Sequence, residues 1–473
     1  MADSFEEKLT AVLAHAIAGF ETLVSCDRLS GGASQETYRI EIASRGSTRL
    51  LAMRRATGGE DDAGFSGAPG LAVEAKLFDI ARKAGVPEPE IYYTFKSSDG
   101  LGAGFIMEWL AGETLGARIN KIPELDQIRP KLAHECGQIL ARIHDIDLDD
   151  SGLRDALTAT ATGNLVRKMW DEYQTFDTPQ PMIDFTARWL LGNLPDQCEH
   201  RLTHGDFRNG NLMVTPEGII AVLDWELAYI GDPVRDLGWI CTNSWRFGRH
   251  ELPVGGFGTR EDLLAGYETQ CGRKIDPDHL RFWEVFGSFW WAIGCLKMQQ
   301  SWRDLPERSV ERPGIARRSS ECQTDCANLI IPGPVNLLEP GVATTTVDMP
   351  SSTELLSSVR DFLRNDVRGA VDARNGFMAL VASNSLDIVI RELKLGSAAR
   401  EAEQTRLSDL LDTSGELEDL RWKLVMALRS GELALDHPGL PNHLRNTVVN
   451  QLAIDQPKYS GLAVALGQGG NCR

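Results

Sequence analysis

Between Leu202 and Leu237 the chain reads LTHGDFRNGNLMVTPEGIIAVLDWELAYIGDPVRDL, and three of its side chains are spaced for chemistry. Asp206 is followed five positions later by Asn211, then by an apolar hairpin, then by Asp224 inside VLDWE. A carboxylate on a short loop can accept a hydrogen bond from an attacking hydroxyl and take its proton late in a transfer. An amide oxygen and a second carboxylate are hard donors that suit Mg2+ held against a triphosphate. That order is the order of a phosphoryl-transfer site. His204 and Arg208 flank the proposed base, His204 as a brace of the loop and Arg208 as a contact to substrate or to water. Asp, Asn and Gly in isolation also mark turns. Turns do not explain the conjunction of HGDFRNGN, a PEG turn at Pro216 to Gly218 and the β-rich run IIAVLDWE with its further Asp. In GDPVRDLGW, Asp232 or Asp236 suits a supporting hydrogen bond to the loop from below.

The elements that must position these groups come earlier in the chain. Apolar residues at helical spacing predict a lead-in helix over Glu6 to Val24. DRLSGGASQETYRIEIA predicts strand, glycine turn, strand. Gly31, Gly32 and Ser34 lie where backbone amides could approach phosphates with no Cβ in the way, although a plain hairpin uses the same turn. In the next strand, LLAMRRAT, Arg54 shares a face with Ala52 and could neutralise phosphate charge, with Arg55 as a competing candidate. LAVEAKLFDIARKAGV predicts a helix ending at Gly85 and Pro87, on which Glu74 either pairs with Arg54 or faces solvent. In GFIMEWLAGETL the reading is a strand leaving a nucleotide pocket. Met107 would guard the back of the pocket, and the backbone of Glu108, Trp109 and Leu110 would meet the adenine edge. A helix over Asp126 to His144 packs under the site, with His144 and Asp145 in capping and packing roles.

A chain of 473 residues is long for one domain. Its 42% hydrophobic and 25% charged content is that of a globular protein. A net charge of -18 argues against a nucleic-acid binder, which needs a basic field. MADSFEEKLT carries acids where a secretory signal carries Lys or Arg, so no export and no membrane partner are expected. The run Phe282 to Met298 is interrupted by Glu284 and Lys297 and reads as a buried helix. Nine scattered cysteines suit a reducing cytoplasm. Cys322 and Cys326 are one helical turn apart, but no second Cys or His pair completes a zinc site.

Taken together, HGDFRNGN, VLDWE and GDPVRDLGW resemble the aminoglycoside phosphotransferase and choline kinase superfamily. The resemblance covers roughly residues 29–330 and implies a protein-kinase-like fold that uses ATP and Mg2+ on small-molecule hydroxyls. VLDWE, GDPVRDLGW, NSWRFG and IARRSSECQTD are similar, more narrowly, to the subgroup associated with acyl-CoA dehydrogenases. That likeness implies a 4-hydroxyacyl-CoA acceptor, hence a CoA thioester as partner. Arg at the position of Arg54 and a relaxed glycine loop depart from the kinase pattern. Aminoglycosides are polycations and need an acidic cleft, whereas acyl-CoA is an anion and needs basic groups. Trp245, Arg246 and Arg249, with Arg317 and Arg318 further on, could bind such an anion or sit solvated at the surface.

The expected fold is α+β. Residues 1–110 form an N-lobe with the lead-in helix and nucleotide-binding sheet, and residues 111–330 a helical C-lobe with the catalytic loop and metal site. Residues 331–352 are Pro-, Gly- and Thr-rich and read as a linker. Residues 353–473 are amphipathic helices with no nucleophile, metal cluster or phosphate loop, an all-α accessory domain. The expectation is a cytoplasmic small-molecule O-kinase, with homo-oligomer formation left open. An aminoglycoside or choline-type kinase, or a degenerate nucleotide-binding scaffold, are the alternatives.

Overall fold

The structure is a computed structural model and describes residues 4–29, 35–59, 69–196, 199–304, 308–340 and 349–468. Two compact units interleave along the chain. The first comprises residues 1–161, 197–241 and 257–276, and the second residues 162–196, 242–256 and 277–473.

The first unit opens with the helix Phe5–Ala16, capped by Ser4, whose hydroxyl accepts from the Glu7 amide while Glu7 reaches back to the Ser4 amide. Such a capping box satisfies two of the amides that a helix start leaves unpaired. The helix predicted to run to Val24 stops at Ala16, because Gly19 adopts a left-handed φ of 79° and the following residues pair as β1 (Phe20–Arg28). Strands β2 (Gln35–Ser44), β3 (Ser47–Ala56), β4 (Ile91–Thr94) and β5 (Gly104–Glu108) complete an antiparallel sheet of order β1-β2-β3-β5-β4. Leu9, Leu13, Ile40, Ile42, Leu51, Met53 and Ile106 pack the lead-in helix onto the sheet. The helix Leu71–Lys83 buries Leu77 and Phe78, and Phe78 meets Phe105 of β5.

Further along the first unit lies the helix Leu132–His144. The predicted start at Asp126 is instead occupied by short 3-10 turns, since Pro130 supplies no amide for a helical ladder. This helix packs against Arg260–Cys271 at very close range. A Cβ on Gly137 would lie 2.1 Å from the Leu263 carbonyl oxygen and 2.6 Å from the Tyr267 nitrogen. Two short ribbons follow: β6 (Arg201–Thr203) with β9 (Tyr229–Gly231), and β7 (Leu212–Thr215) with β8 (Gly218–Val222).

In the second unit, helices Thr162–Gln174, Pro181–Gly192, Pro277–Asp304 and Ser319–Ile330 share a core with the C-terminal helices Ala373–Leu411, Leu417–Ser430 and Leu440–Asp455. Asn446 and Asn450 accept from the amides of Asn336 and Leu338, so the irregular segment before residue 340 is tied to helix Leu440–Asp455. Among the described residues no helix is long and apolar enough to cross a membrane. The close crossing at Gly137 generates a prediction. Gly137→Val should destabilise the first unit by about 3 kcal/mol or more, because the contact is backbone and has no flexible end to yield. A thermal melt that matched wild type would refute this account of the crossing.

Candidate active site

The loop between β6 and β7 presents Asp206, and its backbone is held from beneath by one carboxylate. Asp236, on the helix Val234–Cys241, is fully buried and accepts from the amides of His204 (2.7 Å) and Gly205 (2.9 Å). His144 Nε2 lies 3.2 Å from the same carboxylate, and His144 Nδ1 is 2.9 Å from the Tyr267 hydroxyl. Burial opposes the charge on Asp236, but the hydrogen bond and charge of His144, with His204 and Arg235, hold its pKa below the usual value. Arg235 also donates to the Gly205 carbonyl at 2.7 Å. Gly205 has φ 83°, and a Cβ there would lie 2.2 Å from the Leu227 carbonyl oxygen, so this position requires glycine.

On that base the Asp206 side chain is fixed from two sides. Its Oδ1 accepts from Arg208 Nε (2.9 Å) and from Trp239 Nε1 (2.7 Å), and its Oδ2 accepts from Asn211 Nδ2 (2.7 Å). Asn211 spends its nitrogen on Asp206, also bonding the Asp206 carbonyl, which leaves its amide oxygen as the acceptor. The Asn211 carbonyl accepts from the Leu223 amide at 2.8 Å, so the residue preceding Asp224 is anchored to the Asp206 loop. Asp224 itself has φ 70°, a left-handed conformation that Asp tolerates better than most residues but still at a cost of order 1–3 kcal/mol. His204 is fully buried against Trp225 and Phe207, and its Nδ1 accepts from the Asp206 amide. Burial depresses its pKa, so it is a neutral brace at pH 7.

Arg54 ties β3 to this segment. Its guanidinium lies 2.9 Å from Glu74, 2.5 Å from Asp224 and 3.4 Å from Glu226, and it also bonds Gln35. Arg55 turns elsewhere, donating to the Leu101 carbonyl. Burial works against the Arg54 charge, but Glu74, Asp224 and Glu226 outweigh it and hold its pKa above the ordinary value. Glu74 is buried, and burial raises its pKa to about 8 against the pull of Arg54, with Asp224 and Glu226 adding to the rise. The Asp224 carboxylate and the Asn211 amide oxygen are hard oxygen donors of the kind a divalent cation takes, so the residues present fit Mg2+.

Met107 and Glu108 end β5, with Met107 opposite Ala52, and Trp109 and Leu110 follow as half-buried residues outside the sheet. Gly31, Gly32 and Ser34 lie outside the described residues. The candidate acceptor residues belong to the second unit, and each arginine has a carboxylate partner. Arg246 is buried 2.5 Å from Glu284, Arg249 pairs with Glu251, Arg317 with Glu392 and Asp455, and Arg318 with Glu321. Trp245 is buried beside Trp291. Trp239 was missed by sequence reasoning, although GDPVRDLGW contains it: a Trp on an apolar helix gives no sign that its N–H reaches the Asp206 carboxylate.

An antiparallel N-terminal sheet, a helical C-terminal region and an Asp–Asn–Asp set at the junction of β6, β7 and β8 define the protein-kinase-like class of phosphotransferases. The chain belongs to the phosphotransferase enzyme family (APH), whose profile matches residues 25–273. A second profile, a domain of unknown function (DUF6285), matches residues 369–459. Relatives include acyl-CoA dehydrogenase family member 10 of Mus musculus, 30% identical over 248 residues, covering 50% of this chain and 22% of that protein. Acyl-CoA dehydrogenase family member 11 of Homo sapiens is 32% identical over 171 residues, covering 35% and 21%. The chain thus spans about a fifth of the length of these relatives. A solved structure from Ralstonia eutropha, assigned as an aminoglycoside phosphotransferase, shares the fold with a TM-score of 0.54 at 22% identity, covering 68% of this chain and 96% of that one.

The raised pKa of Glu74 sets a pH dependence. An acid whose folded pKa lies above its unfolded value of 4.5 favours the folded state at low pH, and that contribution is lost as pH rises toward about 8. Glu74→Gln should therefore flatten the fall in melting temperature across this window. Parallel curves for variant and wild type would contradict the assignment.

Proposed function

We propose that the chain is an ATP- and Mg2+-dependent small-molecule O-kinase with a 4-hydroxyacyl-CoA type acceptor. The observation that carries the kinase reading is Asp206 held in one orientation by Arg208, Trp239 and Asn211, with Asp224 anchored beside it through Leu223. A hydroxyl placed against Asp206 donates a hydrogen bond to the carboxylate. Its oxygen forms the new bond to the γ-phosphorus as the bond to the β,γ-bridging oxygen breaks, and ADP leaves. The hydroxyl proton passes to Asp206 late in the transfer. Asn211 and Asp224 would hold Mg2+, which would supply positive charge against the phosphates.

Acceleration on this reading comes from position and charge, since a loose phosphoryl transfer leaves little covalent work to the protein. On the same reading Arg54 would meet phosphate charge from β3, and the backbone of Glu108 to Leu110 would meet the adenine edge. The acyl-CoA acceptor is supported by the likeness to proteins named as acyl-CoA dehydrogenase family members. An aminoglycoside or choline-type acceptor is favoured by one observation, the net charge of -18, which attracts cations.

Incubation with Mg-ATP and a panel of hydroxyacyl-CoAs, aminoglycosides and choline should give ADP release with the hydroxyacyl-CoAs. Turnover confined to the cations would overturn the acceptor, and no turnover of any member would favour a nucleotide-binding scaffold. Asp206→Asn should lower turnover by about 10²-fold or more while ATP binding stays near wild type. Surviving activity in that variant would remove Asp206 as the base.

A further inference from the structure

One cavity in the second unit has no part in the chemistry above. It encloses about 310 Å³ between helices Pro181–Gly192 and Ser319–Ile330 on one side and the C-terminal helices on the other. That volume is at the lower end of the range of small-molecule sites, about 300–1,000 Å³. Its wall is polar. Arg317, Arg400 and Arg421 line it with Glu392, Glu403 and Asp455, and a smaller adjoining recess adds Arg406.

Two features of this wall are unspent. His443 is 1% exposed, lines the cavity and has neither ring nitrogen hydrogen-bonded. A buried imidazole in that state forgoes two hydrogen bonds, each omission costing about 1–3 kcal/mol unless a bound molecule supplies the partner. Arg400, at the exposed rim, makes no ion pair among the described residues, whereas Arg317 is shared by Glu392 and Asp455 and Arg421 is gripped through two nitrogens by Glu403. Arg406 donates to Thr447, and its Nε is buried without a partner. Four guanidinium groups against three carboxylates leave the wall with one positive charge in excess. Burial, with Arg406 and Arg421, pushes the His443 pKa down to about 3, so the ring is neutral and offers one donor and one acceptor.

From the unpaired Arg400 and the partnerless His443 in one polar cavity, we infer that the helical second unit binds a small oxyanion-bearing metabolite. The ligand carries a phosphate or carboxylate for Arg400 and Arg406 and a hydroxyl that pairs with one ring nitrogen of His443. This assigns a ligand site to a region containing the DUF6285 match, separate in role from the Asp206 chemistry.

The test uses the full chain, saturated with a non-hydrolysable ATP analogue so that phosphate probes do not enter the nucleotide site. Inorganic phosphate, glycerol 3-phosphate and malonate are titrated calorimetrically at constant ionic strength with chloride as the reference. The expected result is saturable binding of at least one probe, weakened about tenfold by Arg400→Gln, which corresponds to one charge-assisted contact, and weakened likewise by His443→Asn. A phosphate probe or malonate as the tighter ligand identifies which oxyanion the site takes, and either supports the inference. Should His443→Asn fail to fold, Arg400→Gln at the exposed rim carries the test alone. Absence of saturable binding, or equal affinity in Arg400→Gln and wild type, would overturn it.

Discussion

The contact on which the first unit depends is the Arg54 guanidinium shared by Glu74, Asp224 and Glu226. It joins three pieces of chain far apart in sequence: the third strand of the sheet, the helix behind it and the segment after β8. An exposed ion pair of this kind would contribute little. Here burial changes the balance, because removing the arginine would leave carboxylates facing one another in a poorly solvated site. An arginine holds its charge there where a lysine would be more readily neutralised by the same burial. The departure from the lysine usual on such a strand is therefore coherent with the crowd of acids around it.

Asp236 does for the Asp206 loop what Arg54 does for the sheet. Two backbone amides and His144 converge on it, so the peptide planes leading into Asp206 have little freedom. Trp239, one turn further along the same helix, then bonds the Asp206 carboxylate itself. A single eight-residue helix thus fixes both the backbone and the side chain of the proposed base. That is economical positioning: the groups that must not move are referred to one rigid element rather than to loops.

Sequence reasoning reached the protein-kinase-like fold through local motifs whose meaning is carried by spacing. The apolar alternation in TYRIEI and LLAM, the helical period around Glu74 and the order Asp, Asn, Asp are visible without knowing what lies across the fold. What was not visible depends on partners remote in the chain. Asp232 and Asp236 were indistinguishable until the fold aimed one of them at the loop. Helix ends were misplaced at Ala16 and Leu132, where Gly19 and Pro130 override an apolar period that continues past them. Arg246 and Arg317 look free in the sequence because their carboxylates, Glu284, Glu392 and Asp455, lie tens of residues or more away.

The same point alters what the subgroup motifs mean. NSWRFG and ECQTD meet inside the second unit, where Asn243 donates to Asp325 at 2.8 Å and Ser244 lies 3.7 Å from the Cys322 sulfur. Tyr459 bonds the other oxygen of Asp325 at 2.6 Å, and Ser460 donates to the Asn243 side chain at 3.1 Å. Burial raises the Asp325 pKa to about 7, against the opposing pull of the Tyr459 and Asn243 hydrogen bonds. A buried polar network of this kind is costly unless every member is satisfied, so its residues constrain one another whatever the acceptor is. The residues that set this subgroup apart thus have a structural reason to occur together with a C-terminal helical region.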